Sequence, residues 1–489
     1  MDLGTRPGSL NLFVWSSGCR ARSCLMRQKI RAVRYRVQQQ TSAKPGFFSL
    51  TRKFFWAWWF WAVAAAAAGA YDHDKLAIGF GVAALLTYLM ATSERAPTQG
   101  LETEFSVDSH EFCDSISGAT GADFIKNNQV TILNNGDEFY PAMLDAVRNA
   151  RQSITMEAYI YWKGDIGMQF ARAMAARSKA GVQVKLLLDA VGSSTIGRDI
   201  LQVLKNGGCK LAWYNPVLQT TIGRFNHRNH RKSLIVDGKV AFTGGAGIAD
   251  HWRGHAQDEK HWRDIQVRIE GPAAVRLQTG FAQNWLITTG ELISGAGYFP
   301  PPDAAGTFAV QTILSSPDDG ASSARILFYL AIAGARENVY IENPYFVPDE
   351  TATKVLTEAA ARGVDVKIMV AGEHNDVKTS RYASIQLYGN LLKAGVEIYE
   401  YVPTMMHQKT MVVDGLWSTI GTTNFDNRSF ALNDESNISV YDRRLASELE
   451  EVFMKDLKVC ERITLEQWQQ RGLKTRILGV LSLIFKDQI

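Results

Sequence analysis

His230, Lys232 and Asp237 recur at the same spacing as His407, Lys409 and Asp414. Each set reads H-x-K-x-x-x-x-D and is followed, after six more residues, by a glycine-led stretch: Gly244-Gly245 in the first, Gly421-Thr422-Thr423-Asn424 in the second. A histidine and a lysine two apart on a strand project to the same side, so an imidazole and an ammonium can share one anion. Two such pairs facing each other across a pseudo-twofold axis would hold one phosphodiester between two imidazoles and two ammoniums. One imidazole can attack phosphorus while the other protonates the departing oxygen. The ammoniums stabilise charge on the equatorial oxygens, so that role needs no metal, and no cofactor is expected. Gly245, Thr422 and Asn424 are the candidate phosphate-binding residues: the glycine-led stretch lets backbone N–H groups approach closely, and Asn424 adds a side-chain donor.

The elements that must position these sets repeat as well. Ile154–Tyr161 (ITMEAYIY) resembles Val339–Phe346 (VYIENPYF); Ala180–Asp189 matches Arg362–Ala371, and Leu204–Tyr214 matches Leu391–Tyr401. Short apolar runs alternating with helical patterns predict βαβ units and largely parallel sheets. Glu157 and Glu342 occupy equivalent strand ends, with a structural hydrogen-bonding role and a catalytic one both open. Gly295–Thr307 is rich in proline and glycine and reads as a linker. The expected organisation is a basic segment at 1–53, an apolar hairpin at 54–92, a first repeat at 110–300 and a second at 308–489. A chain of 489 residues leads us to expect two globular units of similar size.

Residues 1–53 carry eleven Lys or Arg and one acid, Asp2, and read as a poorly structured cytoplasmic segment. The remainder is mildly acidic, which argues against nucleic acid as a partner. Phe54–Tyr71 and Leu76–Thr92 are free of charge, with Asp72-His73-Asp74-Lys75 between them. This pattern predicts a transmembrane helical hairpin, its outer ends on the cytoplasmic side by the positive-inside rule. The tryptophans at 56, 58, 59 and 61 suit a membrane interface. Five scattered cysteines fit a reducing compartment rather than a disulfide framework. His251, His255 and His261 lack a carboxylate at ligand spacing and read as loop or rim histidines, not a metal site.

The duplicated motif, with the phrase HQKTMVVDG…GTTNFDNRSFALNDE and the late Trp468, resembles the phospholipase D superfamily over roughly residues 110–489. The preceding hairpin makes the chain similar to bacterial cardiolipin synthases in particular. The resemblance implies a duplicated α/β fold with two pseudo-twofold-related mixed β-sheets flanked by helices. It implies a phosphatidyltransferase of the bacterial inner membrane with its catalytic part facing the cytoplasm. Its substrates would be phospholipids, phosphatidylglycerol first and phosphatidylethanolamine as a possible second. His230 would be the nucleophile and His407 the acid. An acidic residue downstream of each motif would orient its histidine; by position these are Asp264 and Glu435. One departure stands out: Gly247 occupies the place where the family's first motif usually carries Asn, whereas Asn424 is kept in the second.

Three activities fit these features: phosphatidyl transfer to a lipid alcohol, hydrolysis by the same chemistry, and a non-catalytic membrane protein. Both complete motif sets disfavour the last. Since four basic side chains neutralise the phosphodiester, chelation with EDTA should leave turnover intact apart from small lipid-packing effects. An absolute requirement restored by one specific divalent ion would contradict this site.

Overall fold

The computed structural model describes residues 58–70, 74–89, 105–216, 226–317, 322–486 and 488. Its frame is a mixed sheet of sixteen strands among the described residues. In the first repeat these are β1 (Ile125–Asn134), β2 (Ser153–Ala158), β3 (Gln183–Asp189), β4 (Lys210–Tyr214), β5 (Arg228–Asn229), β6 (Ser233–Val236), β7 (Val240–Gly244) and β8 (Ile265–Glu270). In the second they are β9 (Phe308–Ser315), β10 (Asn338–Glu342), β11 (Asp365–Ala371), β12 (Glu397–Tyr401), β13 (Thr410–Val413), β14 (Trp417–Gly421), β15 (Asn433–Tyr441) and β16 (Cys460–Ile463).

The strand order is β16-β12-β11-β10-β13-β14-β15-β9-β1-β8-β7-β6-β2-β3-β4, with β5 paired to β15. Reading outward from the β9/β1 seam, the two halves meet equivalent strands in the same order. Each half has a parallel outer part, β2-β3-β4 or β10-β11-β12, and an antiparallel inner part. The parallel strands are linked by helices Asp165–Lys179 and Arg198–Gly207 in one half and Glu350–Ala361 and Lys378–Lys393 in the other.

Two separate sheets were expected; the structure has one. The inner edges β1 and β9 would each expose a row of backbone donors and acceptors. They pair antiparallel instead, with Ile125 opposite Val310 and Asn128 opposite Phe308 across a bulge. The expected pair of globular units is likewise merged. One buried cluster takes Val130, Ile265, Val267, Phe281 and Trp285 from the first repeat and Val412, Ile420, Ile438, Leu445 and Leu449 from the second. The boundary expected at residue 110 also differs from the packing. Helix Glu111–Thr120 buries Phe112 and Ile116 among Leu327, Phe328 and Ile332, so it belongs to the core of the second repeat.

The hairpin segment forms helices Trp58–Ala70 and Asp74–Leu89, which pack on each other with the Trp61 and Phe80 rings 5.8 Å apart. Both helices end where the described residues end, at Trp58, Ala70, Asp74 and Leu89. Among the described residues no helix is long and apolar enough to cross a membrane. Phe54–Ala57, Tyr71–His73 and Met90–Thr92, together with residues 1–53, lie outside the described residues.

Asp237 and Asp414, expected in the catalytic set, sit at the far ends of β6 and β13 from the histidines. Each is followed by glycine, and both residues of each pair have positive φ (Asp237 53°, Gly238 63°, Asp414 53°, Gly415 54°). That is the Asp-Gly signature of a tight hairpin turn. The carboxylates face away from the chemistry and collect backbone donors. Asp237 accepts from the N–H groups of Arg151, Gln152 and Ser153 at 2.7–3.2 Å. Asp414 accepts from those of Arg336, Glu337 and Asn338 at 2.8–3.2 Å. The motif's spacing is thus a four-residue strand followed by a turn that pins the start of β2 or β10.

Asp414→Ala strands three backbone donors and should destabilise the fold by about 3 kcal/mol. It should lower the thermal unfolding midpoint while leaving kcat of the folded fraction within about threefold. A loss of kcat on the order of 10³ at an unchanged midpoint would return the residue to the catalytic set.

Candidate active site

The two His-x-Lys stretches lie just ahead of β6 and β13, in extended chain that pairs across the repeats. The His230 N–H bonds the carbonyl of Asp434 at 3.0 Å, and the His407 N–H that of Arg263 at 2.8 Å. The intervening residues point the opposite way. Arg231 donates to the carbonyls of Gly280, Ser315 and Glu435, and Gln408 to Asp456. His230, Lys232, His407 and Lys409 therefore project together, each no more than 7% exposed.

The cross-repeat threading decides which carboxylate meets which imidazole. His230 Nδ1 lies 2.9 Å from both oxygens of Glu435, and His407 Nδ1 lies 2.9 Å from Asp264 Oδ2. The expectation that each acid would serve the histidine of its own repeat is corrected: the pairs are crossed, because each histidine's backbone is tied to the residue preceding the other repeat's acid. With Nδ1 engaged by a carboxylate, each imidazole keeps Nε2 for chemistry. Each ammonium also donates to the carbonyl of its own histidine, at 3.0 Å for Lys232 and 2.5 Å for Lys409.

Two tyrosines complete the symmetry. The Tyr159 ring stands edge-on to His230 at 5.2 Å, and Lys232 Nζ lies 5.7 Å from its centroid. Tyr345 repeats this at 6.0 Å from His407 and 5.7 Å from Lys409. Both were visible only as aromatics closing the repeated strand phrase. Trp252 and Trp262, 5.4 and 5.6 Å from His407, were not singled out at all. Both precede Asp264, by twelve and two residues, and spacing alone does not distinguish such aromatics from core.

The expected phosphate-binding set divides. The Gly245 N–H is spent on the Ile265 carbonyl, and a Cβ at 245 would stand 2.3 Å from Asp264 Oδ1. Its glycine makes room for a carboxylate rather than a phosphate. The Thr422 N–H bonds the Ser436 carbonyl, and its hydroxyl donates to Glu435 Oε2 at 2.5 Å. Both residues are thus corrected to positioning roles. Asn424 remains: it is buried and its amide oxygen has no partner among the described residues. At 247 a Cβ would meet the Ile160 carbonyl at 2.8 Å and Trp252 Cζ3 at 3.1 Å, so Trp252 and Ile160 fill the space that a side chain would need. The Trp252 indole donates to Asp264 Oδ2 at 2.9 Å.

Glu157 accepts from Asn229 and Asn284, each at 2.7 Å, and Glu342 from the Thr410 hydroxyl at 2.6 Å. These are supports behind the His-x-Lys stretches. The three rim histidines diverge. The His251 ring lies tilted against Trp252 and Trp262 with centroids 4.1 and 4.0 Å away, His255 meets Asp137, and His261 meets Asp258.

The sequence profile described as "Cardiolipin synthase, PLD-like domain" matches residues 143–285 and 329–457, the two stretches that carry this cluster. A cardiolipin synthase of Clostridium perfringens is 36% identical over 360 residues, covering 72% of this chain and 75% of that one. The chain belongs to the cardiolipin synthase, phospholipase D-like family. A second member, from Geobacillus kaustophilus, is 36% identical over 358 residues, covering 73% of this chain and 71% of its own. The crystal structure of phosphatidylserine synthase from Haemophilus influenzae shares the fold, with a TM-score of 0.59 at 14% identity over 77% of this chain and 100% of that one.

Within this family site, burial sets the resting protonation. It pulls the His230 imidazole down to about 4, against the pull of Glu435. His407 is held well below the usual range by burial and by Lys409, Lys232 and His230. Burial also lowers Lys232 to about 7 and Lys409 to about 8. The two acids differ. Burial lifts Asp264 to about 6, whereas His230, Lys232 and Thr422 overcome burial at Glu435 and keep it below its usual value.

These shifts fix the direction of the pH response. A nucleophilic His230 must be neutral, which its lowered value ensures above about pH 5; the lysines must be charged, and they lose charge as pH rises through 7 and 8. In mixed micelles kcat/KM should fall as pH rises from about 5, because the proton that His407 must carry grows scarcer, and fall more steeply above 7 as the lysines lose charge. A profile that rises through about 6.5 and stays level to 9 would contradict this electrostatic arrangement.

Proposed function

We propose that the chain is a phosphatidyltransferase that makes cardiolipin and glycerol from two phosphatidylglycerols through a phosphohistidine. The observation that carries this is the pair of buried imidazoles, each bound through Nδ1 to a carboxylate of the other repeat. Family membership supports the substrate class. His230 Nε2 attacks phosphorus of the first phosphatidylglycerol, and the P–O bond to the headgroup glycerol breaks. His407 protonates the leaving oxygen. A terminal headgroup hydroxyl of the second lipid then gives its proton to His407 and attacks the phosphohistidine, releasing His230. One phosphodiester is exchanged for another, so no nucleotide is consumed.

His407 needs a proton before it can act as the acid, and its depressed affinity leaves it neutral in the empty site. The phosphodiester's negative charge raises that affinity on binding. Glu435 is the more firmly ionised acid, which supports giving the nucleophile's role to His230. Asn424 is the side-chain donor for the phosphate, and Lys232 and Lys409 carry the charge on its equatorial oxygens. The apolar pattern of residues 54–92 supports a membrane hairpin with the catalytic part on the cytoplasmic face of a bacterial inner membrane. Phosphatidylethanolamine as donor of the second phosphatidyl group, and water as acceptor, are alternatives that lipid products distinguish.

His230→Ala and His407→Ala should each reduce turnover on the order of 10³-fold or more, with weak additivity. With a donor whose leaving group needs no proton, His407→Ala should still form a phosphatidyl-histidine detectable by mass spectrometry, and His230→Ala should not. An adduct on residue 407 would reverse the roles. Membranes of expressing cells should gain cardiolipin; phosphatidic acid alone would identify a hydrolase.

A further inference from the structure

The last long helix, Leu473–Leu483, carries apolar side chains on the side that faces away from the protein. Leu473, Ile477, Val480, Leu481, Ile484 and Phe485 are 45–72% exposed. Their offsets of 0, 4, 7, 8, 11 and 12 residues define one continuous helical stripe. The opposite side is already used. Gly479 and Ser482 are buried, and a Cβ at 479 would lie 3.1 Å from Gln386 and from the Tyr382 carbonyl. The helix is therefore clamped onto Lys378–Lys393. Ahead of it, the Trp468 indole donates to the Ile385 carbonyl at 2.6 Å, and Arg471 stacks on Trp468 and donates to Gln386. A stripe of this size facing outward on a rigidly seated helix marks an interaction surface.

We propose that this stripe is an interfacial docking surface that lays the rim of the active site on an anionic bilayer. Two observations select a lipid surface. Residues 473–485 contain no acid, while Lys474 and Arg476 are exposed beside the stripe. Apolar residues flanked by cations suit the boundary between acyl chains and anionic headgroups. The end of the same segment is also tied to the site. Gln488 accepts from Asn226, four residues before His230, and from Arg428, four residues after Asn424. Arg428 and Asn226 bond each other as well. Docking this helix therefore brings the two stretches leading to the nucleophile and to the phosphate donor toward the headgroup layer, which a phosphate needs in order to reach buried imidazoles. The inference rests on the proposed lipid substrate, and extends it by naming the surface through which the lipid is presented.

The test uses the full chain in nanodiscs, one protein per disc, with either phosphatidylglycerol-rich or purely phosphatidylcholine bilayers. In Val480→Cys, modification by an impermeant maleimide, read at that peptide by mass spectrometry, should be about tenfold slower in the anionic discs. Equal protection in both discs would mean that protein, such as the N-terminal hairpin, covers the stripe; no protection in either would mean that it faces water. Either result overturns the proposal. The exposed triple variant Ile477→Ser, Val480→Ser, Leu481→Ser should lose about tenfold or more in turnover of bilayer phosphatidylglycerol. It should keep its turnover of a short-chain, monomeric phosphatidylglycerol, and Ile477→Leu should keep both. Equal loss on both substrates would make the helix a structural element and overturn the proposal. If the unmodified chain turns over neither substrate, the phosphatidyltransfer reading fails, and the maleimide contrast still decides docking.

Discussion

Four basic side chains are buried together, and two carboxylates must be buried with them. Burying His230, Lys232, His407 and Lys409 without compensation would cost many kcal/mol per charge. Glu435 and Asp264 supply the compensation, each from the repeat that does not own its histidine. The crossing has a consequence for the whole molecule: neither repeat alone holds a histidine with its orienting acid. The two copies must be locked in fixed register, and the antiparallel seam between β1 and β9, with the shared core beneath it, provides that lock. A duplication with two independent cores would leave the pairing to a mobile interface.

Each half of the site solves the same problem with different chemistry. Glu435 is held by the hydroxyl of Thr422, in the strand-end position that Gly245 occupies in the first repeat. With no side chain at 245, Asp264 moves into the vacant volume and takes its neutral donor from the Trp252 indole. Trp252 in turn fills the space beside residue 247, where only glycine fits. The departure from the family pattern at Gly247 is therefore one end of a linked exchange: an amide is absent, an indole takes the space, and the carboxylate keeps a donor. What the first half-site lacks is a side-chain amide at this position. That leaves Asn424 as the side-chain amide in this pair of positions and makes the two halves unequal toward a bound phosphodiester.

The sequence displayed the site's members more clearly than their partners. His230 and His407 were legible because a four-residue strand and an Asp-Gly turn impose a fixed interval, and that interval repeats. The same regularity misled at Asp237 and Asp414, whose invariance of spacing reflects turn geometry and three backbone donors rather than chemistry. Pairing of His230 with Glu435 spans 205 residues and of His407 with Asp264 spans 143, so no local pattern could show that they cross. The β-α alternation announced the parallel outer strands correctly. Fusion into one sheet depends on the exposed ladder edges of β1 and β9, a tertiary demand that hydrophobic periodicity does not encode. In the hairpin segment the two described helices fall on the two apolar runs.

A phosphodiester would change the electrostatics of this cluster. Burial, with repulsion among the cations, drives protons off the imidazoles and lowers the proton affinity of both ammoniums. A phosphodiester brings one negative charge into the middle of these groups and raises the proton affinity of each. The increase matters where a proton is needed and missing, at the imidazole that serves as the acid. The acids behind the two histidines differ: a carboxylate held low by His230, Lys232 and Thr422 on one side, and one lifted to about 6 beneath Trp252 on the other.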